Sequence, residues 1–146
     1  MEILIKSLAK GKGFKPSLAR RVARRVLEVE GYKKAQVSIL FCSDFYIKRL
    51  NREYRRVDAP TDVLAFSMHE GRFSKVHPEI LGDVVISLET ASRQAKRYRY
   101  SLNKEVAHLI IHGILHLLGY DHLKKKDKEK MRKKEKEILK SLNIKE

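Results

Sequence analysis

The sequence predicts an α+β domain, a mixed sheet of about four strands packed with about five helices around a central histidine-bearing helix. Three observations predict it. Short apolar runs such as VSILFC and DVVIS alternate with longer amphipathic stretches, and no unit repeats. The stretch HLIIHGILHLLGYDH, from His108 to His122, reads as buried helix apart from its histidines, four of the chain's six. The length, 146 residues, is enough to bury a core without disulfides or a structural metal. With no linker in sight, residues 1–146 form a single expected domain.

The elements follow in order. EILIKSL alternates apolar and polar, the pattern of a half-buried strand. After a Gly-Lys-Gly break, Pro16 opens a helix to about Glu30, where Gly31 stops it. AQVSILFC is the second strand. Ser43 caps a helix over DFYIKRLNREY, whose expected apolar side is Phe45, Ile47, Leu50 and Tyr54. RRVDAPTD is a loop leading to a third strand, VLAFSM; HEGRFSKVHPEI, with its Gly and Pro, is a hairpin-like or mobile connection. LGDVVIS is the fourth strand, and Ser87 or Thr90 begins a helix to about Arg97. Ser101 caps the histidine helix, which ends at Gly119. A last helix, Lys124 to Leu142, has a thin apolar stripe of Met131, Ile138 and Leu139 in a field of charge.

Lys and Arg number 33 against 18 Asp and Glu, a formal charge of +15. That excess exceeds what solubility needs and favours a polyanionic partner, nucleic acid before an anionic membrane surface. Cys42, the lone cysteine, excludes an internal disulfide partner and fits inert core in a reducing compartment. No apolar run reaches the roughly 18 residues of a membrane span, and the N-terminus lacks the apolar region of a signal peptide. A cytoplasmic protein with no membrane partner is expected.

In a helix of 3.6 residues per turn, His112 and His116 project from one face, one turn apart, where two imidazoles can share an ion. His108 lies on nearly the same face but about 12 Å along the axis from His116, too far for the same ion. It is left to core hydrogen bonding, or to a supporting or substrate-facing role. The third donor is His122. Gly119, three residues after His116, turns the chain and brings YDH back toward the helix end, completing HxxxHxxGxxH. Tyr120 and Asp121 fix that turn, and Asp121 can also orient a ligand histidine. Three neutral nitrogen donors suit one Zn2+, or another divalent transition metal such as Ni2+, and leave positions for water and substrate. Metal-bound water then ionises near pH ~7, so hydrolysis is the natural chemistry.

The spacing is also that of metzincin peptidases, which place a glutamate base directly after the first histidine. Here that residue is Gly113, which moves no proton. Elsewhere, Arg52, Arg55 and Arg56 near a helix end could clamp a phosphate or simply complement the helix dipole. Asp58 and Asp62 suit a loop-shaping role. Basic KRYRY, Lys96 to Tyr100, could stack bases or be a helix end with snorkelling side chains. The run KKKDKEKMRKKEKE is expected as a solvated helix with i, i+4 pairs, although its lysine excess could lie along RNA.

HGILHLLGYDH together with NREYRRVDAPTDVLAFS and LGDVVIS resembles the YbeY family of bacterial endoribonucleases, over about residues 37–123. The resemblance implies a zinc-dependent, single-strand-specific endoribonuclease that matures the 3′ end of 16S rRNA and serves ribosome quality control, with the ribosome as partner. It implies His112, His116 and His122 as ligands and Arg55 as the arginine that steadies the scissile phosphate. Ala65 stands where many relatives have serine, and the lysine-dense C-terminal helix is not a family hallmark. Two other readings stay open on the residues themselves: a metallopeptidase-like hydrolase, and a non-catalytic rRNA-binding assembly factor.

Overall fold

The computed structural model describes residues 1–9, 14–68, 79–120 and 123–145. The expected connection over 69–80 and the Gly-Lys-Gly break fall largely outside them. In chain order the elements are β1 (Glu2–Ser7), α1 (Pro16–Val29), β2 (Gln36–Cys42), α2 (Asp44–Arg55), β3 (Val63–Ser67), β4 (Ile80–Ser87), α3 (Leu88–Tyr98), α4 (Leu102–Leu117) and α5 (Lys125–Ser141). The sheet order is β1-β2-β4-β3; β1, β2 and β4 run parallel, and β3 pairs antiparallel with β4. The α+β class and mixed four-stranded sheet agree with the sequence reading, and element ends differ from it by one or two residues. Ser87, not Thr90, caps α3: its hydroxyl accepts from the Thr90 amide.

Strand alternation sorts the core into two faces. Val37, Ile39 and Phe41 of β2 and Val84 and Ile86 of β4 meet α1, α3, α4 and α5, whereas Cys42 and Val85 meet Ile47 of α2 on the other face. Because both faces are largely covered, each of these strands carries consecutive apolar residues, Ile39-Leu40-Phe41 in β2 and Val84-Val85-Ile86 in β4. Helix α4 packs against α1, α3, α5, β3 and β4 at once, which is why it is apolar nearly all round. Cys42 is buried and its thiol is pushed up to about 12 by burial and the nearby Asp44 and Glu89 charges, leaving no reactive thiolate.

Two expectations fail in α2. Phe45 and Tyr54 are exposed, while Asn51 is buried and donates to the Ala59 carbonyl at 2.9 Å. Phe45 stands two residues, about 200° of helix rotation, from Ile47 and cannot share its face. Tyr54 does share that face, but in the last turn, where it meets Phe66 edge-on and stays open to solvent.

The parallel strands β2 and β4 end side by side, with Cys42 opposite Ser87. There Asp44 accepts hydrogen bonds from Ser87 and Thr90, both at 2.6 Å, and pairs with Arg93 at 2.8 Å. Burial alone would raise its pKa, but these donors outweigh it and hold the carboxyl below the usual range. The crevice at the carboxyl ends of parallel strands, a frequent ligand site, is thus stitched together by the chain's own side chains. Among the described residues, no helix is long and apolar enough to cross a membrane.

Where β3 meets β4, Gly82 has φ +138 and an added Cβ would come within 2.1 Å of the Phe66 carbonyl oxygen. We expect Gly82→Ala to cost roughly 2–4 kcal/mol through backbone strain and overpacking, measured by chemical denaturation. An unchanged midpoint would show that β3 does not press on β4 there.

Candidate functional site

Helix α4 carries His108, His112 and His116 along one side. The ring centroids of His112 and His116 are 4.7 Å apart and those of His108 and His112 are 6.3 Å apart. The helix ends as the glycine suggested: Gly119, at φ +100, donates to the His116 carbonyl at 3.0 Å, and Tyr120 donates to the Leu115 carbonyl at 3.0 Å. This paired closure is a Schellman motif. Asp121 and His122 follow directly and lie outside the described residues. Among the described residues no three metal-ligating side chains converge.

The residue that organises the histidines comes from α5. Glu135 is buried, with one carboxylate oxygen 2.8 Å from His112 Nδ1 and the other 2.7 Å from His108 Nε2. An ionised carboxylate only accepts hydrogen bonds, so His112 carries a proton on the Nδ1 that faces Glu135. Burial would raise the Glu135 pKa, yet the two imidazoles draw it down to about 2. His108 stands between two acids: Glu105 lies 3.5 Å from its Nδ1. Hydrogen bonding to Glu105 and Glu135 raises its pKa to about 9 against the opposing effect of burial, so it is a cation near neutral pH. Tyr100 closes the chain by donating its hydroxyl proton to Glu105 at 2.8 Å.

Sequence reasoning missed Glu135 because it sits in a run of charge. The signal was its spacing: Met131, Glu135, Ile138 and Leu142 are all buried and recur at i, i+4, i+7 and i+11, which places the carboxylate inside the apolar stripe. Leu139, expected in that stripe, is only partly buried. The ion pair within α5 among the described residues joins Lys134 to Glu137, three residues apart and not the expected four, and Lys134 also reaches Glu30.

A cleft of about 420 Å3 brings His112 and His116 together with Arg55, Asp62 and Ser67. Arg55 is the last residue of α2, and the left-handed Arg56, at φ 59, turns the chain away behind it. Its guanidinium donates to the Ala65 carbonyl at 2.8 Å and lies 5.8 Å from the centre of the Phe66 ring. Of the three arginines, Arg55 is the one that lines the cleft. Asp62 acts on the loop: it accepts from the Val63 amide at 2.7 Å and from Gln94 at 3.3 Å. Asp58 pairs with Lys48 at 3.9 Å on the surface.

Gly113 stands where metzincin peptidases carry their glutamate base. A Cβ there would stand 2.6 Å from Val84 Cγ1, so a glutamate at 113 would push α4 off the sheet.

A profile described as Endoribonuclease YbeY matches residues 9–143. The chain belongs to the YbeY family. Curated YbeY endoribonucleases from Pelotomaculum thermopropionicum and Desulforamulus reducens are 54% and 50% identical to it, each alignment covering 87% of this chain and 86% of the relative. The solution structure of a Thermotoga maritima protein superposes with a TM-score of 0.65 at 30% identity, covering 94% of this chain and 87% of that one. Within this YbeY-family fold, the acid–histidine network has a pH signature. His108, held protonated to about pH 9 in the fold against an ordinary 6.5, contributes stability that is complete below pH 6.5 and lost as pH rises toward 9. Denaturation with chelator present should show that decline, and Glu135→Gln should flatten part of it while Glu105 keeps the remainder. An identical pH slope in both proteins would mean that Glu135 does not hold the His108 proton.

Proposed function

We propose that this chain is a metal-dependent endoribonuclease that cleaves single-stranded RNA in the cytoplasm, maturing the 3′ end of 16S rRNA and serving ribosome quality control. One observation carries the reading: the His112–His116 pair and the anchored Arg55 guanidinium open into the same cleft. Family membership supports RNA as the substrate, and the charge of +15 suits it.

The donor chemistry fits a zinc ion. His112 has its Nδ1 engaged by a buried carboxylate, the arrangement that orients a metal-binding imidazole and raises its basicity. His112, His116 and His122 would hold the ion; nickel or another divalent transition metal suits the same nitrogen set. When bound, it supplies Lewis-acid activation of phosphoryl oxygen and of water. The protein's own part is positional. Glu135 keeps the His112 ring in one tautomer, while Gly113 lets α4 lie close on β4. Arg55, fixed by the Ala65 carbonyl, offers its remaining N–H donors to a phosphate that gains charge during cleavage. His108 supports the ligands through the carboxylate it shares with His112, and the orienting role proposed for Asp121 rests on its place next to His122 in the sequence.

Purified protein should cut single-stranded RNA but not duplex RNA, lose that activity to a chelator and regain it with zinc. Cleavage that ignores the chelator would overturn the metal assignment, and tight RNA binding without any cleavage would make the protein an assembly factor. Arg55→Ala should lower kcat by a factor on the order of 10²–10³, with little loss of stability because the guanidinium is exposed and holds one carbonyl. A kcat within twofold of the parent would remove Arg55 from the mechanism.

A further inference from the structure

A second cavity, of about 530 Å3, opens between α4 and α5 and shares His112 with the Arg55 cleft. Partly buried Leu139 lines it with hydrocarbon over the nearly buried Met131 at its floor, and Lys104, Lys128, Arg132 and Lys136 line it with positive charge. An adjoining cavity of about 410 Å3 shares Lys104, Lys136 and Leu139 and adds Lys140. The two make a groove leading from the histidines toward the C-terminal end of α5.

The cations are ordered. Lys128, Arg132, Lys136 and Lys140 are all exposed and recur every four residues, so they form one stripe with steps of about 6 Å, close to the separation of neighbouring phosphates along a strand. Lys104 faces them from α4, its ammonium 4.9 Å from the Tyr100 ring centre. Of the four acids of α5, Glu135 lines the groove but is engaged by the histidines, Glu137 pairs with Lys134, Asp127 lies beside a separate hollow at Gly119 and Tyr120, and Glu129 is exposed and lines neither cavity. Acids interrupt the lysines along the sequence, but positions 128, 132, 136 and 140 are all cationic, so the stripe itself carries one sign of charge.

We propose that this groove is a binding track for the RNA strand that flanks the cleavage site, with phosphates along the α5 stripe and an unpaired base against Met131 and Leu139. This rests on the nuclease reading for its place beside the reacting centre, and deepens it by naming the surface that selects single strands. Bases in a duplex are paired and stacked inside the helix and cannot enter an apolar recess flanked by cations, whereas an unpaired base can.

The test compares K128Q/R132Q/K136Q with R24Q/K33Q/K34Q, which removes the same charge from exposed positions outside the groove. Binding is measured by fluorescence anisotropy on a short unstructured oligoribonucleotide and on a duplex, with chelator present so that cleavage does not intervene. For the single strand, the stripe variant should raise Kd on the order of tenfold and make the dependence of log K on log salt shallower by about 2, at roughly 0.7 per phosphate contact. The control variant should change Kd less than twofold. Equal losses in the two variants, or equal losses for single strand and duplex, would overturn the proposal. In the unaltered protein, thiouridine-containing RNA should photocrosslink to α5 near Met131 and Leu139, and crosslinks confined to other segments would also overturn it. Because binding is scored apart from cleavage, a protein that binds through the stripe but never cuts RNA would refute the nuclease reading and leave the track standing.

Discussion

The centre of this molecule depends on one buried carboxylate held between two imidazoles. Glu135 reaches from α5 to His112 and His108 on α4 at 2.8 and 2.7 Å. A carboxylate removed from water must be compensated. Here two histidines compensate it, and hydrogen bonds to charged groups contribute about 1.5–3 kcal/mol each. The same bonds hold the His112 ring by its Nδ1, so the contact that docks α5 also orients a side chain of the cleft.

A second constraint fixes the opposite wall of the cleft. Arg55 and the histidines belong to different elements, and β3 relates them: Ala65 accepts the Arg55 hydrogen bond, while β3 pairs with β4, against which α4 packs. That arrangement tolerates little added bulk. Gly82 admits the Phe66 carbonyl and Gly113 admits Val84, so two missing side chains set the depth at which the histidine helix lies relative to the arginine.

Helix α5 therefore serves two faces. Its buried side contributes Met131, Ile138 and the Glu135 carboxylate; its groove side carries cations at every fourth residue. A helix of such high charge would be marginal alone, and it is docking on α4 that gives each face its meaning. The chemistry of the site is consequently tied to a surface that reaches well beyond it.

Local spacing determined much of this on its own. The strands, the caps at Ser43 and Ser101, the pairing of His112 with His116 and the turn at Gly119 all follow from interactions between residues a few positions apart, whose periodicity is visible in the chain. What local spacing could not supply was the identity of distant partners. Glu135 lies 23 and 27 positions from the histidines it binds, among neighbours that look uniformly solvated, and spacing does not set Arg55 apart from Arg52 and Arg56, whereas its reach to a strand beyond the following loop does. Phe45 and Tyr54 mislead for the same reason, since apolar character does not say which side of a helix, or which of its turns, the sheet will cover. Helical and strand periods are properties of the backbone; partners across the fold are chosen by packing, and that choice exists only once the elements have met.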